Sequence, residues 1–350
     1  MELLQIWLRI ALYFFSVFLI PPGDGAIGHP PYGGCVQNRP RHVAVATRAA
    51  AVALAVAAMV AGAGCAASSG QRAGASARTA PPSRPPAATA PASSTAPAGA
   101  LPRPAHVVVV IEENKSYSAI IGNPSAPYIN SLAGHGALLT HAAAVSHPSE
   151  PNYLALFSGS TKGLTDDSCP HVFAGANLAS EAIAAHLTFA GYSESMPGTG
   201  FTGCTSGVYA RKHNPWSDFR NVPPAGNRTF ARFPASYAAL PAISFVVPNL
   251  LDDMHDGTVA QGDTWLKDNL NGYARWASSN NSLLVVTWDE NDGGAGNHIA
   301  TVIAGAHVRP GRYPESVNHY SVLRLIEDMY GLPRVGASAT ATPVTGIFSG

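Results

Sequence analysis

A doubly wound, mostly parallel α/β sheet flanked by helices is the fold class this sequence predicts, on three observations. Residues 106–111 (His-Val-Val-Val-Val-Ile), 242–248 and 282–287 are continuous β-branched or aliphatic runs, the composition of strands buried on both faces. Between them lie segments whose apolar residues recur at helical spacing. Each run ends in a cluster of oxygen- and nitrogen-bearing side chains, and open α/β sheets bind their ligands at the carboxyl ends of strands. The order strand, polar cluster, helix repeats at least four times, which argues for one composite site along a single sheet edge.

The chain divides before that sheet begins. Residues 3–20 form an apolar run broken by Arg9, long enough to be a membrane-helix candidate. A second apolar run, 49–60, follows Arg39, Arg41 and Arg48 and ends Ala61-Gly62-Ala63-Gly64-Cys65, the plan of a secretory signal. Cys65 after Ala-Gly resembles a bacterial lipoprotein signal, with Gly62 where a branched apolar residue is usual. Two such segments in tandem fit either a translation start near Val43 or Val45 or a genuine N-terminal anchor. Residues 1–65 therefore predict an exported bacterial protein, secreted or held at the membrane by its anchor or a lipid. Residues 66–104 are rich in Ala, Pro, Ser and Gly without apolar periodicity and read as a flexible tether. The folded domain is expected over 105–350, where Cys169 and Cys204 are an even pair that suggests one disulfide in an exported chain. Lys+Arg and Asp+Glu both number 21, with no basic stripe, so nucleic acid is excluded as a partner; the oligomeric state is left open.

Within the domain, strand 106–111 runs into Glu113 and Asn114, oxygen donors suited to a hard or borderline metal. No Gly-rich fingerprint follows it, which argues against a dinucleotide enzyme. A short helix over 128–136 and a strand over 137–144 lead to His147-Pro148-Ser149-Glu150-Pro151-Asn152-Tyr153. Ser149 is read as the N-cap of a helix with Pro151 in its first turn and Gly159 at its end. A hydroxyl there lies beside unpaired N–H groups that hold anions, although on this stretch alone a plain capping serine is the simpler reading. Leu178, Ile183, Leu187 and Phe189 predict an amphipathic helix over 178–190, and 192–197 a short strand. Arg211-Lys212-His213 gathers two cations and an imidazole, which suits an anion or a solvated basic loop equally. After strand 242–248, Asn249, Asp252, Asp253, His255 and Asp256 form a dense polar group. A helix over 263–277 and the strand 282–287 follow, ending at Asp289-Glu290, adjacent carboxylates that repel unless a cation sits between them. A strand over 298–304 and a helix over 322–330, capped from Asn318-His319-Tyr320-Ser321, complete the domain.

A serine is a poor nucleophile unless a base or a metal lowers its pKa, and no Gly-x-Ser-x-Gly elbow surrounds Ser149. A divalent metal held by Glu113, Asn114, Asp289 and Glu290 would activate it and offset phosphate charge. His255 is the candidate acid/base, or a ligand of a second metal with Asp252.

At these residues the sequence resembles the alkaline phosphatase-like superfamily, and within it the bacterial phosphoesterases of acid phosphatase and phospholipase C type. The resemblance rests on residues 113–117, 147–153, 158–159, 192–197, 213–215, 289–290 and 318–321. Sulfatases and nucleotide phosphodiesterases place the nucleophile two residues before a proline and ten before a helix-ending glycine. Ser149, Pro151 and Gly159 keep both spacings. The resemblance implies Ser149 as nucleophile, and Glu113, Asn114, Asp289 and Glu290 as metal ligands. It makes His255 the active-site histidine and puts His213, Asn152 and His319 at substrate-binding positions. Glu290 stands where two-metal members carry a histidine, so one metal of open identity is expected; a second, which in this family pattern would need Asp252, His255 and His298, is left open. Ser149-Glu150-Pro151 lacks the arginine of sulfatases. The implied activity is phosphomonoester hydrolysis through a phosphoserine, on a small phosphate ester or a phospholipid head group. A phospholipase C-type phosphodiesterase is the alternative, and a non-catalytic surface-binding protein the remote one.

Overall fold

The computed structural model describes residues 101–349. The expected export region, Cys65 and residues 66–100 of the tether lie outside the described residues. Among those described, no helix is long and apolar enough to cross a membrane.

The elements run in the order β1 (His106–Glu112), α1 (Tyr117–Ile120), α2 (Pro127–His135), β2 (Ala137–Ala143), α3 (Ser149–Ser158), α4 (Leu178–Ala184) and β3 (Phe189–Ser193). The small hairpin β4 (Thr205–Ser206) and β5 (Tyr209–Ala210) precedes β6 (Asn227–Thr229) and β7 (Ile243–Val247). Then come α5 (Val259–Ala277), β8 (Ser282–Trp288), β9 (His298–Gly305), β10 (Gly311–Asn318) and α6 (His319–Tyr330). Eight strands form one sheet in the order β10-β2-β9-β8-β1-β7-β3-β6. All neighbours are parallel except β9, which runs antiparallel to both β8 and β2. This is the mostly parallel, helix-flanked sheet that the sequence predicts.

The central strands read as they do because both faces are covered. Every residue from Val107 to Ile111 and throughout β7 and β8 is buried. Helices α2 and α5 pack together and against β8 and β9, while α3 packs on α4 and α6. Phe157 of α3 meets Phe189, Phe219 and Phe245, fastening that helix to the sheet. Gly159 ends α3 in the left-handed region at φ 65°, where a Cβ would strike the carbonyl oxygen of Val335.

Two local expectations are corrected, and one strand was not foreseen. The helix expected over 178–190 stops at Ala184, because His186 turns left-handed at φ 59° and Phe189 enters β3. The strand expected over 192–197 is accordingly β3, ending at Ser193. Strand β10 was hidden in the sequence because it is an edge strand whose burial alternates. Pro314 lies within it, where the register shifts between Tyr313 and Ser316. The cysteine pair is a disulfide, Cys169–Cys204, with Cα atoms 5.8 Å apart.

Candidate active site

The carboxyl ends of β1, β7 and β8 meet at one edge, and backbone bonds lock them together. Glu113 N donates to Asp253 O at 2.7 Å, and Asp289 N donates to Glu112 O at 2.9 Å. Asn114 N adds a bond to Asp289 Oδ1 at 3.1 Å. Glu113, Asp289 and Glu290 are thereby fixed side by side, each buried.

Helix α3 brings Ser149 to this group. Ser149 is 1% exposed, and its Oγ lies 3.1 Å from Glu113 Oε2, 3.4 Å from Asn114 Oδ1 and 3.5 Å from Glu290 Oε1. The expected N-cap role is corrected: Pro148 occupies that position, Ser149 is the first helical residue, and no side chain at the N-cap bonds the helix. Asp167 Oδ1 instead accepts from Glu150 N at 2.9 Å, capping the helix from a neighbouring loop. The Ser149 hydroxyl is thus free to face the carboxylates. Asn152 holds the loop that delivers it, accepting from Val145 N and Ser146 N at 3.0 Å and donating to Ser146 O and Pro148 O.

Glu113 is shared with a second group. Tyr153 OH donates to Glu113 Oε1, and the Tyr153 ring stacks on His213 with centroids 5.0 Å apart. His213 Nε2 lies 3.1 Å from Glu113 Oε1, and its Nδ1 lies 3.5 Å from Asp253 Oδ2. One ligand atom each from Glu113, His213 and Asp253 fall within 4.8 Å of one another, all three residues buried.

These donors fit a divalent cation. His213 Nε2, Asp253 Oδ2 and Glu290 Oε2 are buried and make no well-aligned hydrogen bond despite their imidazole and carboxylate neighbours, which is costly unless something else satisfies them. The Asn114 amide oxygen faces only acceptors; with the amide turned over, its nitrogen donates to Glu113 Oε2 at 2.6 Å and Asp289 Oδ1 at 3.3 Å. A cation among these oxygens would satisfy the other orientation. The charges agree with this. Burial, then Asp289 and Asp253, holds the Glu113 carboxyl well above its ordinary value. Burial and Glu290 push Asp289 up to about 8, and burial pushes Asp253 up to about 7. Burial holds His213 well below its ordinary value, so it is a neutral imidazole with a lone pair to offer. The structure thus shows one buried set suited to one divalent metal.

The remaining expected residues lie around this centre. His255 is near the trio, its ring 5.8 Å from that of His213, with Nδ1 on Asp256 Oδ1 at 2.8 Å. Asp252 accepts from Asn249 and Gln261, and it is Asp253 that faces the site. His298 bonds Thr140 O through Nε2 at 2.9 Å and stacks on Tyr117. These placements bring Asp252 and His298 into no shared ligand set. His319 is buried and donates from Nε2 to Asp289 O at 2.6 Å, holding the backbone at the end of β8; burial pushes its imidazole down to about 4. Sequence reasoning gave no role to Tyr153 or His147, held Asp253 only as one of a polar group, and read Lys212 only as part of a segment suited equally to an anion or to solvent. His147 Nδ1 lies 2.6 Å from Glu290 Oε2 at the site's rim. His147 and Tyr153 flank Ser149 in its motif, which was the available signal; Asp253 had none beyond its polar cluster.

A buried hydroxyl and a metal-ligating set at the carboxyl edge of such a sheet define a metal-binding hydrolase. The bond it acts on is a phosphoester: the model of the phosphoesterase family matches residues 123–333, and the chain belongs to that family. It is 56% identical over 253 residues to phosphatidylinositol-3-phosphatase of Mycobacterium tuberculosis, covering 71% of this chain and 84% of that protein. It is 30% identical over 236 residues to an acid phosphatase of Aspergillus fumigatus, covering 59% of this chain and 51% of that one. Among solved structures, a protein in the alkaline phosphatase superfamily from Vibrio parahaemolyticus matches with TM-score 0.48 and 13% identity, covering 71% and 72% of the two chains.

Proposed function

We propose that the chain is an exported phosphomonoesterase of acid phosphatase type that works through a phosphoserine at Ser149. The observation that carries this reading is the convergence of the buried Ser149 Oγ with Glu113 Oε2, Asn114 and Glu290 within 3.1–3.5 Å. A hydroxyl so placed has a proton acceptor within hydrogen-bond reach and lies beside carboxylates whose charge a bound cation would balance. The substrate class is a small phosphate monoester, including the phosphorylated head group of a phospholipid. The name of the M. tuberculosis relative supports the lipid end of that range, and the fungal acid phosphatases the monoester chemistry.

The residues that would hold the metal are Glu113, shared by both groups, with Asn114, Asp289 and Glu290 on the Ser149 side and His213 and Asp253 on the other. Bound there, a divalent ion would act as a Lewis acid, lowering the pKa of the serine hydroxyl and offsetting phosphate charge. The chain's own part follows from its geometry. Ser149 Oγ attacks phosphorus while its proton leaves along the 3.1 Å bond to Glu113 Oε2. The bond from phosphorus to the ester oxygen breaks, and the departing alkoxide takes a proton from His255, whose Nδ1 is held by Asp256. Water then attacks phosphorus and gives a proton to the His255 imidazole, and the Ser149–phosphate bond breaks as Ser149 Oγ takes its proton back from Glu113, releasing inorganic phosphate. Tyr153 fixes the Glu113 carboxylate, and His319 fixes the backbone of Asp289.

The test is hydrolysis of p-nitrophenyl phosphate and bis-p-nitrophenyl phosphate by wild type and Ser149→Ala, with and without chelator. Monoester turnover lost in the mutant and in chelator is the expected result. Preference for the diester would favour a phospholipase C-type enzyme, and no turnover with any divalent metal a non-catalytic surface protein.

A further inference from the structure

We infer that Lys212 is the side chain that binds the substrate's phosphoryl group beside Ser149, and that Asp167 is the positioning residue that aims it. This inference rests on the phosphomonoesterase reading above and adds the cation which that reading lacks.

The observations begin with a closed circuit. Asp167 Oδ1 accepts from Glu150 N, the residue after Ser149, at 2.9 Å. Its other oxygen, Oδ2, accepts from Lys212 Nζ at 2.8 Å. Two residues beyond Asp167, Cys169 is bonded to Cys204, and Cys204 O accepts from Arg211 N at 2.9 Å. One carboxylate therefore spans from the helix that carries Ser149 to the ammonium, and the disulfide ties the Asp167 loop to the segment that leads into Arg211 and Lys212.

The neighbours of Lys212 are immobilised. Arg211 is buried, and its guanidinium is consumed by Asp218 Oδ1, Ser217, Thr202 O and His171 O. His213 on the other side is buried against Glu113 and Asp253. The backbone of Lys212 is thus fixed at the edge of the metal-ligating set, while its side chain stays 20% exposed.

Lys212 also has the right charge with donors to spare. An ammonium carries three N–H groups, and the hydrogen bond recorded for Nζ is the one to Asp167. A phosphate ester brought to Ser149 enters a site walled by carboxylates, and a fixed cation on the open side offsets that repulsion without reorganisation.

The experiment is calorimetric titration of inorganic phosphate into the metal-loaded full chain, for wild type, Lys212→Met, Lys212→Arg and Asp167→Asn. Metal content and melting temperature are measured on each protein. Lys212→Met is expected to weaken phosphate binding about tenfold or more with metal content unchanged, and Lys212→Arg to recover part of the loss. Asp167→Asn is expected to raise KM for p-nitrophenyl phosphate with a smaller effect on kcat. Phosphate affinity in Lys212→Met within about twofold of wild type overturns the inference. The phosphate titration needs no turnover. A failure of the Ser149 reading, seen as activity that survives Ser149→Ala, is therefore separate from a failure of Lys212.

Discussion

Tyr153 and Glu113 are joined by a hydrogen bond from the phenol to Oε1, while the other oxygen of the same carboxylate takes the 3.1 Å bond from Ser149. Ser149 and Tyr153 are four residues apart on α3, so one helical turn presents both groups to the same carboxylate. The proposed nucleophile and the residue that orients its acceptor are therefore set by a single rigid element.

Tyr153→Phe removes that bond and keeps the ring's volume and its stacking on His213. Groups that orient ligands or bases in this way cost about 10–100-fold in activity or metal affinity when lost. We expect kcat to fall by that order, with stability lowered by about 1 kcal/mol. Steady-state kinetics and a denaturant melt check it; unchanged kcat would mean that Glu113 needs no orienting.

Asp252 and Asp253 are adjacent but face different partners, which gives a paired test of the metal set. Asp253→Asn should strip a ligand from the trio with Glu113 and His213 and lower the divalent metal retained per chain. Asp252→Asn should leave metal content as in wild type, since Asp252 is engaged by Asn249 and Gln261. Elemental analysis after dialysis decides between them, and the opposite ranking would move the metal to the other carboxylate.

Asn152 closes the loop that carries Ser149. In Asn152→Ala the N–H groups of Val145 and Ser146 lose their acceptor, a loss of about 1–3 kcal/mol. Thermal unfolding should register that loss, and turnover should fall as Ser149 loses its fixed position. A variant as stable and active as wild type would remove Asn152 from the account.

Glu327 gives a pH dependence remote from the site. Burial pushes its carboxyl up to about 7, opposed by bonds from Ser338 Oγ and Val335 N. Its pKa is higher folded than unfolded, so the folded state binds the extra proton. This contribution is complete below the unfolded value near 4.5, and it is lost as pH rises through about 7. Glu327→Gln should flatten the fall in melting temperature between pH 5 and 8, and an unaltered slope would assign that fall to other groups.

The sheet was legible because its central strands are buried on both faces, which demands uninterrupted Val and Ile in β1 and Leu and Val in β8. That Ser149, Glu113 and Asp289 lie together at one sheet edge was legible because strand ends and helix starts carry recognisable punctuation. What escaped was set by partners far away in sequence. The end of α4 depends on β3 pairing with β7, and β10 is an edge strand with little apolar signal. Lys212 acquires its place only through Asp167, 45 positions earlier, and Asp253 is told from Asp252 only by the pairing of Glu113 N with its carbonyl. The N-cap assignment of Ser149 failed for the same reason, since the cap comes from Asp167.

The central claim is that Ser149 becomes phosphorylated. The most direct measurement is acid quenching of metal-loaded protein during turnover of p-nitrophenyl phosphate, followed by peptide mass spectrometry. The account predicts a phosphate on the peptide that carries Ser149, absent in Ser149→Ala, whose turnover falls by at least ~10³-fold. Full turnover by Ser149→Ala, or a phosphate carried on another residue, would contradict it.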